Sequence, residues 1–210
     1  MASTIIHMAV ANELNKKLGR DNNLILLGGI APDLGKIADG SKLKAHFQDA
    51  DDDIPNIKRF LNKYSSKMND DFVMGYFIHL YTDYLWFKYF IPELFNSDKE
   101  LITKLDGTKI KCNEKIFTLY VYNDYTNLNT RVLDEYNMDL SILYNELPKI
   151  NNIIEEIPLN KLNLLINETS YIIENSKEKK EYVFDIEDIK TFITTTVDLT
   201  YAYLKEKDCI

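Results

Sequence analysis

Apolar residues recur at helical spacing from the start of the chain. Ile6, Ala9, Val10 and Leu14 fall on one face, which predicts a helix over residues 4–18. Ser3 or Thr4 caps its start and Gly19 closes it. The next apolar run, residues 24–31, contains Gly28-Gly29 and ends at a Pro32-Asp33 corner. The run suits a short helix or a buried extended segment, and we favour a helix followed by a turn. Residues 34–53 read as loop and end in Asp49, Asp51, Asp52 and Asp53, an acidic run whose plainest role is a solvated loop. Pro55 opens a short helix to about residue 65. Residues 70–95 form one long helix, apolar around most of its circumference, the pattern of a helix central to a bundle.

Residues 97–114 are polar, and Asp106-Gly107 signals a hairpin or tight turn. This is the best subdomain boundary in the chain. Further helices are predicted near 115–137, 139–150, 159–176 and 185–206, punctuated by Pro148 and Pro158. Asp185 with Asp188 three residues on is a capping-box-like start. The expected protein is mainly α. An N-terminal helical bundle over residues 1–97 carries the chemistry, and a smaller helical part over residues 98–210 packs on it.

Composition narrows this further. With 7 Gly and 5 Pro in 210 residues, the chain has too few breakers for a β-sandwich or a collagen-like repeat. Its net charge of −8 disfavours a general phosphate-binding surface, so no nucleic-acid scaffold binding is expected. Cys112 and Cys209 make no disulfide framework and have no metal-type spacing. Two thiols read as intracellular. The first residues lack the basic stretch of a signal peptide. Residues 72–91 are apolar, but Gly75, His79, Thr82, Asp83 and Lys88 interrupt them. That is too polar for a lipid-facing span, so no transmembrane segment and a cytoplasmic location are expected. A homo-oligomer is compatible with all of this.

The chemistry gathers in the first 83 residues, which hold all three histidines: His7, His46 and His79. His79 and Asp83 are four apart on the predicted long helix, so imidazole and carboxylate share a face. A buried carboxylate needs a cation. Lys88 does not share that face well, and no Arg is near in sequence. A divalent metal would supply the charge, and His nitrogen with Asp oxygen is a competent ligand set. Taken alone, the pair also reads as a helical His–Asp hydrogen bond. Asp33 sits at a rigid corner, as a ligand or as a turn-capping residue. His46 precedes Phe47 in a loop, as a ligand or a surface histidine. His7 lies on the apolar face of the first helix, as a ligand or a core histidine. A second cluster, Tyr120, Tyr122, Asp124 and Tyr125, either lines a pocket with Asp124 near the metal or packs on the bundle.

Four pieces in this order resemble the zinc-dependent phospholipase C and single-strand nuclease superfamily, and more closely its short bacterial phospholipase C-like branch. They are residues 4–7 ending in His7, residues 27–33 ending in Ala31-Pro32-Asp33, His46-Phe47, and residues 75–83 with Gly75, His79 and Asp83. The resemblance spans about residues 4–90. It implies that Asp33, His46, His79 and Asp83 surround one zinc. It implies a second zinc near His7, bridged by Asp83. In the family that ion is also held by the amino group of a processed Trp, where this chain opens Met1-Ala2. A third zinc needs histidines beyond the helical Asp, and no histidine follows position 79 here.

The expected activity is hydrolysis of a phosphodiester or phosphomonoester by a metal-activated water, with Asp33 or Asp83 orienting the water as well as binding the metal. The substrate would be small and phosphorylated. Zinc follows from the resemblance alone, because mixed nitrogen and oxygen ligation also accepts Mn²⁺, Fe²⁺ or Ni²⁺. Four protein ligands also suit a closed structural site, so the competing expectation is a noncatalytic, metal-stabilised helical binding module. A phosphohydrolase of the His-Asp type would need an adjacent His-Asp pair. The residues after the three histidines are Met, Phe and Leu.

Overall fold

The computed structural model describes residues 1–50, 53–95, 100–151, 153–177 and 179–210. The fold is mainly α. Helix α1 (Thr4–Leu18) begins where the Ser3 hydroxyl accepts from the Ile6 N–H. It ends at Gly19 in the left-handed conformation, φ 66°. Helix α2 (Asn22–Ile30) leads into a 3₁₀ turn, Ala31–Asp33. The stretch expected as loop then contains two short helices, α3 (Leu34–Ala38) and α4 (Lys42–Ala45). Within the acidic run, Asp49 pairs with Arg59 and Asp53 accepts from the Ala50 N–H. Asp51 and Asp52 lie outside the described residues.

Helix α5 (Ile57–Tyr64) precedes α6 (Asp71–Leu85), which is capped by Asp70. The expected single helix over residues 70–95 is interrupted. Trp86–Phe90 winds as a π-helix before α7 (Ile91–Leu94). Pro92 explains the change: it has no N–H to donate back, and its ring crowds the preceding turn. The polar stretch forms a small antiparallel hairpin, β1 (Leu101–Thr103) on β2 (Lys109–Lys111), with Ile102 opposite Ile110 and Gly107 at φ 86° in its turn.

Three helices follow: α8 (Glu114–Glu135), α9 (Leu162–Glu174) and α10 (Ile186–Glu206), the last with the Asp185–Asp188 capping box. The helix expected over 139–150 does not form. Asn137 turns left-handed at φ 44° after α8, and one 3₁₀ turn, Ser141–Leu143, buries Ile142 and Leu143. Two apolar anchors do not offset the cost of nucleating a longer helix. Beyond it the chain is tied to α5 by the buried Glu156 carboxylate, which accepts from Tyr64 Oη and Lys63 Nζ, each at 2.6 Å.

The core is built around α1, α2 and α6. Helix α1 also packs against α8 and α10. Helices α2 and α6 make the closest crossing, and two glycines allow it. A Cβ on Gly75 would sit 2.3 Å from the Ile25 carbonyl oxygen, and one on Gly28 would sit 2.2 Å from that of Phe72. Both contacts are with backbone, which cannot rotate away. This crossing sets the height of His79, one turn beyond Gly75, against the end of α2.

Candidate metal centre

His79 is the hub of a buried cluster. Its Nδ1 lies 2.8 Å from the Gly29 carbonyl oxygen, which only an N–H can satisfy. His46 repeats the arrangement, with Nδ1 3.0 Å from the Lys42 carbonyl oxygen. Each backbone carbonyl therefore fixes the tautomer, as second-shell partners of metal-bound histidines do. In the neutral rings both Nε2 lone pairs then point inward. They face each other at 3.2 Å.

The carboxylates join this point. Asp83 Oδ2 is 3.6 Å from His79 Nε2 and 3.9 Å from His46 Nε2, and Asp33 Oδ1 is 3.8 Å from His46 Nε2. Donors about 2.0–2.2 Å from a tetrahedral ion stand about 3.3–3.5 Å from one another. These spacings lie close to that range, and the donors fall into two overlapping groups, Asp33 with His46 and His79, and Asp83 with His7 and His79. Asp83 Oδ2 has no hydrogen-bond partner among the described residues, although the residue is fully buried. With no proton between them such lone pairs would repel, and a cation would relieve that repulsion. The donor set thus fits a divalent metal on its own chemistry.

His7 stands on the other side of His79, its ring stacked at 3.7 Å between centroids. His7 Nε2 is 3.3 Å from Asp83 Oδ1 without hydrogen-bond alignment, and neither ring nitrogen has a partner. Two ligand groups result: Asp33, His46 and His79 form one, and His7, His79 and Asp83 the other. His79 belongs to both. Asp83 Oδ1 also accepts the Ala2 N–H at 2.8 Å, which fixes the plane of the carboxylate.

Local structure explains how distant segments meet here. The Pro32 corner turns Asp33 toward the cluster, where Thr4 Oγ1 donates to its Oδ2 at 3.4 Å. Tyr76 on α6 donates to the Ala45 carbonyl at 2.6 Å and pins the end of α4. Phe47 then takes φ 56°, a strained value for a side chain of this size. Its ring lies edge-on to Phe60 and Tyr64. That aromatic packing holds the turn that buries His46.

The electrostatics follow from burial and neighbours. Burial lowers the pKa of His7, with the charge of His79 adding to the effect. The same two causes take His46 from 6.5 to about 4. Burial also opposes charge on His79, but the adjacent Asp83 carboxylate and the charge of Asp33 outweigh this and raise its pKa. Asp83 is likewise penalised by burial, yet His7 and His79 hold it well below the carboxylate range.

His46 leads to a pH prediction for the metal-free protein. Its folded pKa lies below its unfolded one, so the stability it contributes is complete above pH 6.5 and is lost as pH falls toward about 4. The shift corresponds to about 3 kcal/mol. Chelator-treated protein should show a thermal midpoint that declines across this window, and His46→Gln should flatten the decline. An unchanged slope in the variant would assign the acid sensitivity elsewhere.

Asp33, His46, His79 and Asp83 are thus brought together, with His7 beside them. Asp124 is not part of the cluster. Its carboxylate accepts from the Tyr182, Val183 and Phe184 N–H groups and anchors the chain before α10. The glycine crossing and the two tautomer-fixing carbonyls were not read from sequence as parts of the site. Closely paired glycines on two apolar segments were the available signal for the first.

Only Asp33 among the five reaches the surface, with its side chain 14 % exposed against 0 % for the others. It lines a cavity of about 210 Å³ between α1, α3, α8 and α9. No helix among the described residues is long and apolar enough to cross a membrane. No family model, curated protein or solved structure matches this chain.

Proposed function

We propose that this protein is a metal-dependent hydrolase of a phosphoester, acting on a small phosphorylated substrate. The observation that carries the reading is the facing pair of Nε2 atoms, 3.2 Å apart and flanked by Asp33 and Asp83. The resemblance of residues 4–90 to the zinc-dependent phospholipase C and nuclease superfamily favours zinc as the ion, and the two free thiols, Cys112 and Cys209, fit a cytoplasmic location. A divalent ion of this type supplies Lewis acidity toward a phosphoryl oxygen and toward the attacking water.

The chain's own residues perform the remaining tasks. His46, His79 and Asp83 would hold the ion, and Asp33, the one of the four that lines the cavity, would hold it as well and orient the attacking water. Two neutral histidines and two carboxylates leave the loaded site near neutrality, so an anionic ester is not repelled from it.

The competing reading is a noncatalytic, metal-stapled binding module. The complete burial of His7, His46, His79 and Asp83 favours it, because structural sites are closed. Metal analysis of the purified protein, combined with hydrolysis of phosphomonoester and phosphodiester chromogens before and after chelation, separates the two. Chelator-sensitive turnover restored by Zn²⁺ supports the hydrolase. One chelator-resistant zinc per chain with no turnover supports the module.

A further inference from the structure

The cavity over Asp33 has its own chemistry, and it describes the ligand. Asp33 and Lys36 come from the corner and from α3, Tyr122 and Tyr125 from α8, and Leu165, Thr169 and the exposed carboxylate of Glu168 from α9. The C-terminal helices therefore supply the wall opposite the metal cluster. Lys36 is one helical turn beyond Asp33, is exposed, and makes no ion pair among the described residues. Thr169 is 1 % exposed, and its hydroxyl has no hydrogen-bond partner among the described residues. An unsatisfied hydroxyl inside a protein costs stability, and here it belongs to a residue that lines a cavity. A turn about χ1 exchanges its hydroxyl and methyl group, both of which are common threonine rotamers in helices.

We propose that this cavity selects a small phosphomonoester whose organic part carries a hydroxyl group. Lys36 pairs with the phosphate charge beside Asp33, and Thr169 hydrogen-bonds the organic hydroxyl. The rings of Tyr122 and Tyr125 and the side chain of Leu165 cover the carbon skeleton. The volume sets the limit. About 210 Å³ holds roughly seven waters and falls below the roughly 300–1,000 Å³ of drug-sized pockets. A glycerol phosphate fits inside such a space, whereas most of a long alkyl chain or a polynucleotide would extend beyond it into solvent. The assignment rests on the metal-dependent hydrolase reading, because a cation held by Asp33, the one candidate ligand that lines the cavity, would complete the anion's binding site.

The test is calorimetric binding to zinc-loaded protein of inorganic phosphate, glycerol phosphate and dodecyl phosphate, with the metal content of every sample measured. Wild type should bind glycerol phosphate at least about tenfold more tightly than dodecyl phosphate. Lys36→Gln should weaken phosphate and glycerol phosphate alike, by about tenfold. Thr169→Val should weaken glycerol phosphate by about fivefold to tenfold and leave inorganic phosphate unchanged. Its thermal midpoint should stay level or rise, because the substitution removes an unsatisfied buried hydroxyl. A hydroxyl with a purely structural role would give the opposite, a lower midpoint with unchanged binding. The proposal is overturned if Thr169→Val leaves glycerol phosphate affinity intact with metal still bound, or if dodecyl phosphate binds as well as glycerol phosphate. Wild-type protein that takes up no metal would overturn the hydrolase reading itself, and this assignment with it.

Discussion

Replacing His79 with alanine should empty the metal site and abolish hydrolysis while the helical fold persists. His79 is common to both ligand groups, so its loss breaks each of them. His7→Ala breaks one and leaves Asp33, His46 and the rest of the other in place. The expected order of damage to metal affinity is therefore His79→Ala first, His46→Ala and Asp83→Asn next, His7→Ala last. Removing an outer partner of a metal ligand typically costs about 10–100-fold in affinity, so removing this shared ligand should cost more than about 100-fold. The measurement is metal per chain after dialysis, with a chelator competition for the affinities and circular dichroism as the folding control. Asp83→Asn guards against misfolding, since it keeps the side-chain volume and retains an oxygen for the Ala2 N–H. Full retention of one ion per chain in His79→Ala would remove the basis of the proposed chemistry.

The positions of these ligands were partly legible because helical periodicity is a local property. His79 and Asp83 share a face by spacing alone, and Asp33 stands at a corner that Pro32 dictates. The caps at Ser3, Asp70 and Asp185 and the stop at Gly19 are local as well. What distant segments do to one another was less legible. That His46 is buried depends on Tyr76 holding α4 and on the packing of Phe47 against α5. The tautomers depend on carbonyls at Lys42 and Gly29, and carbonyl orientation has no signature in residue type. The predicted helix over 139–150 failed because its apolar residues bury as a short loop anchor. Thr169 gave no signal at all: a threonine on an amphipathic helix becomes informative only when its hydroxyl is seen without a partner.

Gly28 and Gly75 lie between these extremes, and they carry the second large prediction. Their spacing from the ligands is visible in sequence, but their purpose is the near contact of α2 with α6. Gly75→Ala places a methyl 2.3 Å from the Ile25 carbonyl oxygen and 2.9 Å from Gly28 Cα, so the two helices must separate. Overpacked cores commonly lose about 1–3 kcal/mol. A clash with backbone on both sides, at the centre of the bundle, should exceed that range and lower the thermal midpoint by on the order of 10 °C. The separation should also lengthen the bond from His79 Nδ1 to the Gly29 carbonyl, so metal affinity should fall although no ligand has been touched. Gly28→Ala should behave alike. The double variant should cost clearly less than the sum, because helices already forced apart accept the second methyl cheaply. A midpoint within about 2 °C of wild type for Gly75→Ala, a shift of the size expected from less than about 1 kcal/mol, would show that the helices tolerate the wider spacing. The glycine contact would then not be what fixes His79 in place.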